Sequence, residues 1–342
     1  MINTLQHVGI GVKDIDNSYE FYRKHLGFRI KLSESEYDIW ELESMFGRKP
    51  RMRIHNSSNP YGGPSLELFQ HIDTSPMERS GTPSWADRGM LELGIEVRGL
   101  KKLYQKMESK GVNFLSEIRK LDVNSGKNWL YVYLKDQEGQ LIQLLEMDDK
   151  DSIGSRKAKV RGINHVGIGV SDIERSISFY SGVLGFDKTI YRGKSEASLM
   201  SQVMPSHGEL EVVILARSAG STAQLSSFNG GMIKLIHSKN SMGSHIFEGR
   251  RFGDPGLTEI AFDVDGIHDV YKMVIENGAK PLVPPTEFDW GFGPRGALAY
   301  IEDTEGNVIE LVELKSLFKL PPTVLDWLVV RPLRLLSKLN IL

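Results

Sequence analysis

The sequence predicts an α+β protein built from four β-α-β-β-β units. Two internal repeats and the chain length carry that prediction. Residues 7–28, HVGIGVKDIDNSYEFYRKHLGF, and residues 165–186, HVGIGVSDIERSISFYSGVLGF, agree at 14 of 22 positions at an offset of 158. A second offset of 167 maps LELGIEV at 91–97 onto TEIAFDV at 258–264. It also maps DQEG at 136–139 onto DTEG at 303–306, and LIQLLE at 141–146 onto VIELVE at 308–313. A chain of 342 residues suits two domains of about 150–170 residues, so each half holds two units.

The elements follow in order within each unit. An apolar, β-branched run opens it as a strand and ends at an Asp or Gly corner. An amphipathic stretch comes next: in the first unit Ile15, Tyr19, Tyr22 and Leu26 fall at helical spacing. Asp14 and Asp172 are the expected N-caps. Gly27, Gly111, Gly185 and Gly278 stand where helices should end. Three short strand-like runs separated by Gly, Asn or Pro complete the unit. The halves are expected as two domains, 1–147 and 161–314, joined by a charged linker at 148–160. Segments around 72–89 and 240–256 connect the units inside each half. They are rich in Gly, Pro and Ser and are placed to border a site.

Composition removes several classes of function. Apolar residues at 40% and charged residues at 25% are those of a globular chain with real cores. A net charge of −2 offers no field for generic nucleic-acid binding. The absence of cysteine excludes disulfides, thiolate metal sites and thiol nucleophiles. Neither a signal-peptide pattern nor a run of 18 apolar residues is present, and a cytoplasmic location is the expectation. The tail, 315–342, lies outside the repeats and carries five basic residues and one acidic one. Leu325, Leu328, Val329, Leu333 and Leu336 form an apolar stripe on a helix expected to kink near Pro332. Packing on the body or on a second subunit of a homodimer is the first expectation for it, and weak contact with a membrane surface the second.

A unit opening with HVGIGVxDIxxSxxFYxxxLGF resembles the vicinal oxygen chelate superfamily, which includes glyoxalase I, methylmalonyl-CoA epimerase, extradiol dioxygenases and bleomycin-resistance proteins. The resemblance covers about residues 3–147 and 161–314. It implies cup-like sheets, each made of two units around one divalent metal, with ligands on the first and last strand of each unit. For the first half it implies His7, Glu67, Glu92 and Gln143 as ligands. Glu92 stands where the family usually has His, and Gln143 where it usually has Glu. The second half offers His165, Lys234, Glu259 and Glu310, with Glu259 again replacing His. Lys234 departs seriously, because an ammonium cannot ligate; an ion pair with Glu259 or Glu310 in place of a lost metal is the expected role. Pairing of units within a half, across halves or across subunits is left open by the sequence.

Glu67 lies between Leu66 and Leu68, so an alternating strand turns it away from those leucines. Burying such acids on several strands is costly without a metal or a salt bridge. Trp129, Tyr131 and Tyr133 read as packing residues that alternate along one strand. Arg295, in the glycine-rich turn 291–296, is a candidate for binding a substrate oxygen. His25, His55, His71, His207, His237, His245 and His268 match no site position and read as structural. The reaction the resemblance implies is isomerisation or epimerisation, or a glyoxalase-I-like lyase step, next to a carbonyl of a small-molecule substrate; a four-unit chain of this length also resembles cyclitol-ketone epimerases, which makes a cyclitol or sugar-like ketone one candidate. Glu67 or Glu92 would shuttle the proton, and an enediolate would be stabilised by one divalent metal (Zn, Mn, Fe, Co, Ni or Mg). The alternatives are an extradiol-type dioxygenase centred on His165, Glu259 and Glu310, and a binding or resistance protein without turnover.

Overall fold

The computed structural model describes residues 1–123, 128–147, 159–195, 200–205, 208–218, 231–289, 293–317 and 319–338. The expected linker therefore lies almost wholly outside the described residues, as do Gly291 and Phe292 of the glycine-rich turn. Four β-α-β-β-β units are present. The first comprises β1 (Ile2–Gly11), α1 (Ile15–Leu26), β2 (Ile30–Asp38), β3 (Arg51–Ser58) and β4 (Ser65–His71). The second comprises β5 (Gly89–Arg98), α2 (Leu100–Glu108), β6 (Arg119–Asp122), β7 (Asn128–Lys135) and β8 (Leu141–Glu146). The third has β9 (Lys159–Gly169), α3 (Ile173–Ile177, continued by a wide turn through Val183), β10 (Lys188–Ser195), β11 (Leu210–Ala216) and β12 (Met232–Ser238). The fourth has β13 (Gly256–Val264), α4 (Ile267–Glu276), β14 (Lys280–Asp289), β15 (Pro294–Glu302) and β16 (Val308–Leu317).

Local signals act as the sequence implies. The Asp14 side chain accepts from the Asn17 amide and that of Asp172 from the Arg175 amide, each satisfying a donor at a helix start. Gly27 closes α1 with φ of 74°, a left-handed position.

The pairing of units differs from the expected division into halves. One eight-stranded sheet runs β14-β15-β16-β13-β1-β4-β3-β2, joining units one and four. The other runs β10-β11-β12-β9-β5-β8-β7-β6, joining units two and three. Residues 1–147 and 161–314 are thus not two closed cups. Each half contributes one unit to each cup, through the antiparallel pairs β1–β13 and β5–β9. Buried hydrogen bonds tie the units within a half: Tyr22 Oη donates to Asp136 at 2.7 Å, and Tyr180 Oη to Asp303 at 2.6 Å.

Alternation sorts each strand between two environments. Val8, Ile10, Leu66, Leu68, Ile260, Phe262, Ile309 and Leu311 enter one continuous core with the helices and the backs of both sheets. His7, Glu67, Glu259 and Glu310 have the other parity and face into a cup. The tail packs through Leu325, which is buried against Leu314, Leu317, Val329 and Val330. It departs from the expected stripe because a wide turn at Asp326–Val330 rotates the helix before Pro332 is reached, and Leu328 is left 50% exposed. The Leu333 side chain lies outside the described residues.

Candidate metal centre and its altered twin

The first cup gathers one imidazole and three carboxylates from four strands. His7 Nε2 lies 3.1 Å from Glu67 Oε2, 3.4 Å from Glu259 Oε1 and 3.2 Å from Glu310 Oε2. His7 stands on β1, Glu67 on β4, Glu259 on β13 and Glu310 on β16, so each unit supplies its first and last strand. The Glu259 side chain has no solvent exposure and Glu310 has 8%, whereas Glu67 retains 17%. His7 Nδ1 donates to Gln6 Oε1 at 2.9 Å, which aims Nε2 at the carboxylates. Gly9 makes room for this packing: a Cβ there would lie 2.6 Å from Glu259 Cγ. Tyr300, on β15 opposite Glu310, is buried beside the cluster.

Three acids around one imidazole leave an excess of buried negative charge. Burial by itself lowers the His7 pKa, but the charges and hydrogen bonds of Glu67, Glu259 and Glu310 outweigh it and hold the ring well above its ordinary value. Burial pushes the Glu259 carboxyl up to about 8, with repulsion from Glu310 and Glu67 adding and the His7 hydrogen bond opposing. Burial, then the charges of Glu310, Glu259 and Glu67, keep the Tyr300 hydroxyl protonated. Glu259 Oε2 is buried without a hydrogen-bond partner. An orphan carboxylate oxygen beside two more acids and an oriented imidazole fits a divalent cation. Ligand atoms of His7, Glu259 and Glu310 all lie within 4.8 Å of one another.

For a cation held in this cup, the geometry sets the pH dependence of binding. His7 and Glu259 hold protons near neutrality in the metal-free cup, and both must release them to coordinate. Isothermal titration with Mn²⁺ should therefore show affinity rising with pH through about 8, where Glu259 loses its proton, with proton release on binding. Affinity independent of pH between 6 and 8 would contradict the protonation state described here.

The second cup holds the same strand positions with different chemistry. His165 on β9, Lys234 on β12, Glu92 on β5 and Gln143 on β8 meet there. Lys234 Nζ donates to Glu92 Oε1 at 2.5 Å and to Tyr133 Oη at 3.1 Å. His165 Nε2 lies 3.2 Å from the same Glu92 oxygen, and its Nδ1 donates to Asn164 Oδ1 at 2.9 Å. Gln143 Nε2 donates to Tyr133 Oη at 2.6 Å. Burial opposes the ionised form of Glu92, but the Lys234 charge and the hydrogen bonds from His165 and Lys234 win and bring the carboxyl down to about 2. Burial lowers the His165 pKa, against the raising effect of Glu92. Lys234 aligns with Gly167, as Glu67 aligns with Gly9, so an ammonium stands where the first cup has a carboxylate. Trp85, Met200, Val203 and Met204 fill the space around Tyr133.

The expected ligand set His7, Glu67, Glu92 and Gln143 therefore does not converge. His7 and Glu67 join Glu259 and Glu310, while Glu92 and Gln143 join His165 and Lys234. The reason is that β13, not β5, lies beside β1. Lys234 does pair with an acid, but the acid is Glu92 rather than Glu259 or Glu310. Glu92, buried against Lys234, is not placed to shuttle a proton at the first cup. Arg295 lies at the turn end of the β14–β15 hairpin, exposed, 3.6 Å from Asp289. Three contributors, Gln6, Asn164 and Tyr300, went unread in the sequence, and a fourth, Tyr133, was taken as packing. Gln6 and Asn164 precede the matched histidines, and Tyr133 and Tyr300 share the 167 offset; both repeats pointed to them.

Comparison with known proteins matches this architecture. The sequence model of the Glyoxalase/Bleomycin resistance protein/Dioxygenase superfamily matches residues 4–144 and 162–311, and the chain belongs to that superfamily. Glyoxalase I of Saccharomyces cerevisiae is 26% identical over 198 residues, 53% of this chain and 56% of that protein. The 4-hydroxyphenylpyruvate dioxygenase of Aspergillus fumigatus is 27% identical over 139 residues, 40% of this chain and 32% of that protein. The matched region thus spans about half or less of these relatives. Among solved structures, glyoxalase I from Zea mays superposes with a TM-score of 0.59 at 17% identity, covering 91% of this chain and 92% of that one. A Bacillus subtilis structure described as a putative dioxygenase gives 0.57 at 13% identity, covering 93% and 87%. These two likenesses speak for the fold.

Proposed function

We propose that the chain is a metal-dependent enzyme that moves a proton at the carbon next to a carbonyl, as an isomerase, epimerase or glyoxalase-I-like lyase, with its site in the first cup. The observation that carries this is the buried cluster of His7, Glu67, Glu259 and Glu310, with an orphan oxygen on Glu259. Those four residues would hold a divalent cation, which when bound supplies Lewis-acid stabilisation of negative charge on a carbonyl oxygen. Glu67 is the base of choice, because it is the most accessible of the three acids. Asn56 Nδ2 contacts its Oε1 at 3.4 Å and limits its rotation. Tyr300 stays protonated beside Glu310 and serves as a hydrogen-bond donor at the floor of the cup. Phe69 and Phe252, with ring centres 5.1 Å apart, line the cup next to the cluster and exclude water from it.

The second cup does not take part in this chemistry, since its Glu92 is neutralised by Lys234. The likeness to 4-hydroxyphenylpyruvate dioxygenase keeps oxygen chemistry as the competing reading. The single imidazole in the cluster argues against it, because oxygen-activating iron centres of this kind use two histidines and one carboxylate.

The test is proton exchange. Manganese-loaded protein in D2O, given dihydroxyacetone and larger polyhydroxylated ketones, should exchange the α-proton by NMR. Glu67→Gln should slow exchange by about 10²–10⁴-fold while binding metal. Metal-loaded protein that exchanges none of these ketones, or exchange unchanged in Glu67→Gln, would count against the reading. Oxygen uptake with a catechol would favour the dioxygenase.

A further inference from the structure

We infer that the first cup continues into an anion-binding subsite, which holds a carboxylate or phosphate group of the same substrate whose carbonyl faces Glu67. The inference rests on the proposed function for that end. A cavity of about 610 Å³ is lined in part by Arg250, His245, Phe247, Phe252, Val308 and Glu302. Val308 stands two residues from Glu310 on the same face of β16, and Glu302 two residues from Tyr300 on the same face of β15. The cavity therefore opens about 7 Å along the sheet from the carboxylate cluster, on the same concave surface. Phe252 marks the boundary, its ring centre 6.2 Å from that of Tyr300.

The charge in this cavity is cationic and partly unspent. Arg250 is half-buried and sends N–H groups to the carbonyls of Pro255 and Ile246, both at 2.6 Å. Among the described residues no carboxylate pairs with it, and its Nε has no partner. The guanidinium lies 4.1 Å from the centre of the Phe247 ring, which fixes its plane. His245, taken from sequence as structural, accepts from the Phe247 amide at Nδ1. Its proton is therefore on Nε2, which is also without a partner. By contrast, Arg48 is held by Asp73, and Arg251 by Asp254 and Ser75. Among the described residues lining the cavity the one acid, Glu302, is paired with Lys280 at 2.9 Å. Asp254 attracts the guanidinium at longer range without a direct ion pair, and a planar guanidinium that is oriented, desolvated and without a direct carboxylate partner is suited to a planar or tetrahedral oxyanion. Both donors come from the 240–256 connector, the segment whose composition placed it at the border of a site.

Titration calorimetry on metal-loaded protein, with inorganic phosphate and with succinate as probes, tests this. Saturable binding of at least one anion is expected, and the preferred one identifies the group. Arg250→Gln should weaken it at least about tenfold, and His245→Gln by less, with metal binding unchanged in both. If Arg250→Gln proves unstable, His245→Gln alone decides. Failure of both anions to saturate, or equal affinity in the variants, overturns the subsite. The two readings fail separately: loss of anion binding with metal binding intact removes only the subsite, and absence of metal binding with anion binding intact removes only the proposed metal chemistry.

Discussion

His7→Ala is expected to cost the protein its divalent metal, weakening affinity at least about 100-fold, since losing a ligand should exceed the 10–100-fold cost of losing an outer-shell partner. Glu259→Gln and Glu310→Gln should fall in the same range. His165→Ala, the matched histidine of the other repeat, should leave metal content unchanged. The contrast follows from charge. The first cup places three carboxylates within 3.4 Å of one imidazole nitrogen. The second has one carboxylate, already neutralised by an ammonium at 2.5 Å. Elemental analysis of the purified variants, followed by calorimetry with Mn²⁺ and Zn²⁺, reads the difference. Metal lost with His165→Ala and kept with His7→Ala would reverse the assignment of the cups. Glu92→Gln sharpens the same test. A site grouped by halves would lose affinity, and a site grouped as the sheets run would not.

Lys234→Met is expected to destabilise the fold by about 3–5 kcal/mol, the cost of leaving a buried charge without its partner. Glu92 has no solvent exposure, and its Oε2 lacks a partner even with lysine present. Methionine fills the space of the lysine stem but offers no charge. Adding Glu92→Gln should recover most of the loss, because the amide needs no counter-ion, and the coupling between the two sites measures the pair. The effect should depend on pH with a definite sign. Glu92 is held at about 2 against an ordinary 4.5, so the stability it contributes is complete above 4.5 and is lost as pH falls toward 2. Urea unfolding at pH 7 and pH 3 checks both statements. A cost below about 1 kcal/mol at pH 7 would mean that the pair behaves as an exposed ion pair does, and that the lysine is not standing in for a cation.

Much of this protein is written in short-range pattern. The repeat HVGIGV with its Asp cap and LGF ending specifies a strand, a helix and a glycine stop, because period, cap and left-handed turn are local properties. The alternation around Glu67, Glu259 and Glu310 specifies which face each acid takes, because successive side chains on a strand point opposite ways. The departure at Lys234 was likewise visible, since an ammonium at a ligand position cannot coordinate a metal. The partition of eight polar residues into two sites was not legible. His7 meets Glu259 and Glu310, more than 250 residues away, because β1 hydrogen-bonds to β13. Nothing in the pattern of β5, which resembles β13 at the 167 offset, says that it should not take that place. A strand's sequence encodes its faces but not which of two similar edges it will join. That choice is made by the packing of four units at once, when their helices and the backs of both sheets close around a common core, and it decides which acids surround a histidine and which one receives the lysine.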